Sequence, residues 1–174
     1  MSVRRAESGE GHLLHELAAA TFGLACPLGT TELEIVEHVA THLSAERFEG
    51  YLADPDREIL VALSGSGFAG YTMLVFGEPS DADVAAVVTA RPTAELSKCY
   101  VRAGEHGGGA ASELMMATID VARLRGSATI WLGVNERNDR ANRFYGKHGF
   151  DCVGFKRFAL GDRFEDDFVR QLTL

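Results

Sequence analysis

Hydrophobic spacing changes period several times along the chain, and each change marks an element. Leu13, Leu14, Leu17, Ala18, Thr21 and Phe22 recur at steps of three and four, which predicts a helix over Gly11–Ala25. Pro27 and Gly29 break it. Leu33, Val36, Val39, Ala40 and Leu43 give a second helix over Thr31–Leu43, opened by Thr30 or Thr31 as cap with Glu34 close behind. Another helical turn or two covers Ser44–Leu52 and stops at Asp54-Pro55-Asp56, while Val3–Ala6 ahead of these helices reads as a short strand.

Beyond Pro55 the pattern becomes that of strands. Glu58–Leu63 is a buried-strand run, Ser64-Gly65-Ser66-Gly67 a hairpin turn, and Gly70–Phe76 the answering strand. Asp81–Pro92 fits an irregular strand or loop, because Val84, Ala85, Ala86, Val87 and Val88 satisfy either period. Glu95–Arg102 predicts a strand, Gly107–Arg125 a helix, Ala128–Val134 a strand and Asn138–His148 a helix. Phe150–Leu160 and Phe164–Leu172 close the chain as strands. A strand, glycine-rich turn, helix and strand in succession form a right-handed crossover, so Glu95–Arg102 and Ala128–Val134 should run parallel. Hairpins on either side make the remaining sheet antiparallel. The fold class expected is α/β (α+β), one mixed and mostly antiparallel sheet flanked by helices.

Length and composition narrow the picture. The 174 residues suit one domain with one core, so residues 1–174 are read as a single domain. Arg4 and Arg5 lead into polar residues rather than an apolar segment, and no run approaches the ~18 apolar residues of a membrane span. A cytoplasmic protein with no membrane partner is expected. The net charge of −8 argues against nucleic-acid binding, which needs a basic stripe, and mildly favours cationic small molecules. Cys26, Cys99 and Cys152 lack metal-ligand spacing and read as small buried apolar residues. His38 and His42 share a helical spacing without a third ligand, so no metal is expected.

Two blocks carry chemistry. Val101-Arg102-Ala103-Gly104-Glu105-His106-Gly107-Gly108-Gly109-Ala110-Ala111 lies between a strand and a helix, where N–H groups at a helix start face whatever docks there. Consecutive glycines permit positive φ and close backbone approach, and Ala110 and Ala111 keep the first turn slim. A phosphate is the natural occupant, favoured by the helix dipole by ~0.3–1 kcal/mol. The missing Lys excludes a nucleotide-hydrolysing loop, and no first strand and distant acid support a dinucleotide fingerprint. The second block runs from Asn138 to Phe150. Asn138, Ala141 or Asn142, and Tyr145 fall on one helix face, and Gly149 is placed to end the helix in the left-handed region.

Together the blocks resemble the GCN5-related N-acetyltransferase superfamily. Its phosphate loop, Q/R-x-x-G-x-G/A, corresponds to His106–Ala111, with His106 in place of Arg or Gln. Its N-x-x-A-x-x-F-Y-x-K-x-G-F block corresponds letter for letter to Asn138–Phe150, Lys147 included. The resemblance implies acetyl-CoA as co-substrate between the strands ending at Val101 and Val134, which splay apart. Pantetheine would pair with backbone around Cys99, Tyr100 and Val101, and the pyrophosphate would sit on N–H groups of Gly107, Gly108, Gly109, Ala110, Ala111 and Ser112. Asn138 would hold the pantetheine and Tyr145 would stand near the sulfur as general acid.

Within the superfamily, Ile130–Val134 and Leu160-Gly161-Asp162 look most similar to the bacterial polyamine acetyltransferase branch. That branch commonly carries Glu where Ser97 stands here. Glu95, two residues earlier on the same strand face, is then the candidate base through water, with Glu136 as another. The acidic residues Glu32, Glu34, Glu37, Glu46 and Glu49 crowd the helical segment that walls the acceptor site in this superfamily, or form solvated helix faces. The implied activity is acetyl transfer to a primary amine, a polyamine among the candidates. The alternatives are a protein N-terminus, an amino acid or an aminoglycoside as acceptor, or an inactive acetyl-CoA sensor. A homodimer is common in the superfamily.

Overall fold

A computed structural model describes residues 2–26, 28–65, 67–105, 109–160 and 163–174. In chain order the elements are β1 (Ser2–Arg5), α1 (Gly11–Ala25), α2 (Glu32–His42), α3 (Ala45–Ala53), β2 (Arg57–Ser64) and β3 (Gly67–Phe76). Then follow α4 (Ala82–Val87), β4 (Thr93–Val101), α5 (Ala110–Leu124), β5 (Thr129–Asn135), α6 (Asp139–Lys147), β6 (Asp151–Leu160) and β7 (Arg163–Thr173). The seven strands are ordered β1-β2-β3-β4-β5-β7-β6 in one sheet. β4 and β5 pair in parallel at Thr93–Glu95 and Thr129–Trp131, as the crossover rule requires, while β1–β2, β5–β7 and β7–β6 are antiparallel. The mixed α/β fold expected from the sequence is observed.

One expectation fails within Asp81–Pro92, where Ala82–Val87 form the short helix α4 and only the residues after it are loop. The missed signal is a cap. Asp81 accepts from the N–H groups of Asp83 and Val84 at 2.9 and 3.3 Å. Val84 and Val88, four apart, are both fully buried.

The chain resolves into two compact units, 1–74 with 98–118 and 75–97 with 119–174. In the first, α1 buries Leu14, Leu17 and Ala18, and Phe48 of α3 meets Tyr71 of β3 edge-on at 5.6 Å. α2 opens on a capping box in which Thr31 accepts from the Glu34 N–H and Glu34 accepts from the Thr31 N–H. Glu49 of α3 accepts from the backbone N–H groups of Gly9 and Gly11 at 3.0 and 2.7 Å. Gly11 also admits α3 closely, since a methyl there would lie 2.6 Å from the Ala45 carbonyl oxygen. Inside, the hydroxyls of Thr72 and Thr118 are 2.7 Å apart, and Thr118 also donates to the Leu114 carbonyl.

In the second unit β7 lies between β5 and β6. Trp131 and Val169 pack with Val84 of α4 and with Val88 just after it, and Val87 fills the space over Gly154. The β6–β7 ladder carries one bulge, between Cys152 and Gly154. Ile130, Leu132 and Phe150 are buried. Of the cysteines, Cys26 and Cys99 are half-buried, and Cys152 is exposed, which corrects its reading as a buried residue. Cys152 is the second residue of β6 and, like Asp151 before it, is exposed.

Candidate active site

The first chemistry-bearing segment follows β4. Cys99 and Tyr100 are half-buried and Val101 is buried, and a single 3-10 turn spans Ala103–Glu105. His106, Gly107 and Gly108 lie outside the described residues. Gly109 has φ +90°, a conformation that L side chains rarely adopt, and its carbonyl accepts from the Glu113 N–H at 3.0 Å. Gly109 therefore stands at the cap of α5. Helix geometry leaves the N–H groups of Ala110, Ala111 and Ser112 without acceptors of their own in the helix. Ala110 is fully buried, Ala111 and Ser112 half-buried. A helix start with small residues and donor N–H groups fits a phosphate.

The second segment links β5 to α6. Asn138 caps α6, its side-chain oxygen accepting from the Ala141 N–H at 3.0 Å. Asn142 donates its amide to the carbonyls of Asn135 and Asn138, both at 3.0 Å. Arg170 of β7 donates to Asn142 Oδ1 and to the Phe150 carbonyl, each at 2.9 Å. These bonds brace both ends of α6. Tyr145 is half-buried, edge-on to Phe144 at 5.5 Å and to Phe150 at 5.9 Å. Lys147 is exposed in the last turn. Gly149 has φ +86°, the left-handed ending predicted for it.

Glu95, half-buried on β4, is level with Trp131 in the parallel ladder, and Ser97 is also half-buried. The Glu136 N–H donates to the Asp166 carbonyl at 3.1 Å, and its carboxylate lies 4.0 Å from Arg137. Two of the five acidic residues on the early helices have structural partners, Glu34 in the α2 cap and Glu49 on the Gly9 and Gly11 amides. Among the described residues no group of three or more potential metal ligands occurs.

Three residues of consequence, Arg170, Asp167 and Tyr71, were not singled out in the sequence. Arg170 and Asp167 lie on β7, where the run Glu165-Asp166-Asp167 looks like a solvated strand end. Alternation was the available signal, since it places Asp167 with the buried Val169. In the first unit His38 stacks on Phe22 with ring centroids 4.3 Å apart, and Tyr71 stacks on Tyr100 at 5.6 Å. Burial, the neighbouring His42 and Lys98 push His38 down to about 4. Burial also holds the Tyr71 hydroxyl well above its ordinary value, and that oxygen has no hydrogen-bond partner among the described residues.

The model of the acetyltransferase (GNAT) family matches residues 25–150. An N-acetyltransferase of Mycobacterium tuberculosis H37Rv, itself uncharacterized, is 43% identical over 156 residues, covering 90% of this chain and 92% of the relative. The PaiA N-acetyltransferase of Thermoplasma acidophilum, solved in complex with coenzyme A, shares the fold at a TM-score of 0.77, 18% identity, and 99% and 98% coverage of the two chains. A ribosomal-protein-alanine N-acetyltransferase from Brucella melitensis does so at a TM-score of 0.74, 19% identity and 100% coverage of both. This chain belongs to the acetyltransferase (GNAT) family, and its activity is that of an acetyl-CoA-dependent N-acetyltransferase.

Proposed function

We propose that residues 1–174 work as one acyltransferase domain that moves the acetyl group of acetyl-CoA to a primary amine of a small molecule. The observation that carries this reading is the bracing of α6, which gives Tyr145 a fixed station beyond the end of β5. Acetyl-CoA supplies an activated thioester. The N–H groups of Gly107–Ser112 bind its pyrophosphate, with His106 at the leading position of the loop. Backbone at Cys99, Tyr100 and Val101 aligns the pantetheine. Asn138 contributes its side-chain amide N–H groups, its oxygen being engaged with Ala141. Lys147, exposed at the end of α6, is a further cofactor contact in this reading.

Two proton transfers are needed. An alkylamine with a pKa of ~10.4 is free base in only about one molecule in 10³ at pH 7, a cost of roughly 4.6 kcal/mol. The base offered by the sequence is Glu95, through water. The departing thiolate needs an acid, and the Tyr145 phenol is suited to it. A polyamine acceptor suits the overall acidity and the resemblance of Ile130–Val134 to that branch. A protein N-terminus is the second reading, favoured by one observation: Glu34 and Glu49 already have partners, which thins the carboxylates available to a polycation.

Titration calorimetry with acetyl-CoA, then thiol release with spermidine and with an alanyl peptide, tests the proposal. Micromolar binding and release with spermidine support the small-amine reading. Release with the peptide alone favours the second, and binding without release from any amine makes the protein a sensor of acetyl-CoA. A cytoplasmic location and a homodimer belong to the same proposal, read by fractionation and by light scattering.

A further inference from the structure

β5 is buried or half-buried along its length except at Gly133, which is exposed. A methyl group on Gly133 would lie 2.5 Å from Lys156 Cε and 3.2 Å from Asp167 Oδ2, so both side chains reach over its bare backbone. Asp167 stands level with Asn135 on β5 and with Lys156 on β6, and is 7% exposed. A carboxylate so enclosed is costly to keep charged. Here it lies against the one exposed residue of β5.

We propose that Asp167, reaching over the exposed backbone of Gly133, is a catalytic residue that accepts the proton of the attacking amine. The inference rests on the N-acetyltransferase reading and assigns to Asp167 the role that the sequence offered to Glu95. Strand alternation supports the placement. Arg170 faces α6, which carries Tyr145, and Asp167, three residues earlier, faces the opposite side of the sheet. The acid for the leaving sulfur and the base for the incoming nitrogen thus stand on opposite faces.

The chemistry balances as follows for an amine that arrives as ammonium and first loses one proton to water. As the nitrogen lone pair forms the C–N bond to the acetyl carbon, an N–H proton passes to the Asp167 carboxylate. The C–S bond breaks with its electrons on sulfur, and the Tyr145 hydroxyl supplies the thiol proton. Asp167 then releases its proton to water and Tyr145 regains one, so ammonium and thioester give amide, thiol and one proton. Burial pushes the Asp167 carboxyl up to about 6; Lys156 on β6 opposes the rise, and Glu165 and Asp166 on its own strand add to it. From β5 the neighbours are Trp131, Gly133 and Asn135, and beside Trp131 stand Val84 of α4 and Val88 at its C-cap, none of which titrates near pH 6. At pH 7.5 the carboxylate is ionised and ready to accept.

The test is the pH profile of thiol release from acetyl-CoA with spermidine or an alanyl peptide, for the wild type, D167N, K156Q and E95Q, alongside calorimetric binding of acetyl-CoA. D167N should keep the affinity, lose about 10²-fold or more in kcat with little change in KM, and lack the inflection near pH 6. K156Q should shift that inflection to higher pH, a response that a merely structural ion pair would not give and that does not depend on D167N folding. A D167N enzyme with wild-type rate and profile, or an inflection lost in E95Q instead, overturns the assignment while leaving the acetyltransferase intact. A wild type that binds acetyl-CoA but releases no thiol overturns the activity reading, and this proposal with it.

Discussion

Arg170 and Asn142 are joined by a 2.9 Å hydrogen bond from the guanidinium Nε to the amide oxygen, which orients the Asn142 amide towards the carbonyls of Asn135 and Asn138. A strand residue thereby fixes the turn from which α6 springs. Replacing Arg170 with Met removes this bond and the one to the Phe150 carbonyl. Hydrogen bonds to charged groups contribute about 1.5–3 kcal/mol, so R170M should melt several degrees lower, read by thermal unfolding. An unchanged Tm would show that α6 is held without it.

Tyr145→Phe keeps the ring that packs on Phe144 and Phe150 and removes only the hydroxyl. Acetyl-CoA affinity should stay as in the wild type while thiol release slows by about 10²-fold. Equal rates in single-turnover kinetics would remove the phenol from the reaction.

Gly70 lies where β3 passes β4 closely. A methyl group there would be 2.8 Å from both the Tyr100 carbonyl oxygen and Val101 Cγ2. The crowded atoms are strand backbone and a buried side chain, which have little room to give, so G70A should cost about 1–3 kcal/mol in chemical denaturation. Cofactor affinity should weaken with it, because Tyr100 and Val101 are the backbone proposed to align the pantetheine.

His38, stacked on Phe22, titrates at about 4 in the folded chain against an ordinary value of 6.5. Because the folded pKa is the lower one, the unfolded chain binds more protons between these values. The contribution to stability is present above pH 6.5 and lost as pH falls towards 4. H38Q should therefore lose less stability than the wild type between pH 7 and pH 4.5, seen as a smaller drop in Tm. An equal drop would place the acid sensitivity elsewhere.

Much of this architecture is legible in the sequence because its helices keep strict three-and-four spacing and its strands are rich in branched residues. The left-handed Gly149 and the crossover from β4 to β5 follow from local rules. α4 escaped because Val84–Val88 satisfies either period, and only the Asp81 cap decides between them. Asn142 was legible as a polar residue on the Tyr145 face, yet its partner Arg170 is 28 residues away, beyond any helical repeat. Asp167 was hidden for a related reason. Its burial depends on strand pairing, which sequence spacing does not encode, and two acidic neighbours disguise it as a surface residue.

The bulge in β6 sets the phase of everything after it. Cys152 pairs with Arg170 and Gly154 with Val169, so Val153 is an extra residue that the ladder absorbs. A regular ladder continued from Cys152 would bring Phe155, not Lys156, level with Asp167. Deleting Val153 would therefore smooth the strand and keep the Lys156–Asp167 pair. Inserting a residue just after Gly154 would seat Phe155 beside the carboxylate and carry Lys156 one step away. The strand has a tolerant side and an intolerant side for changes in length, and the position of one irregular residue decides which is which.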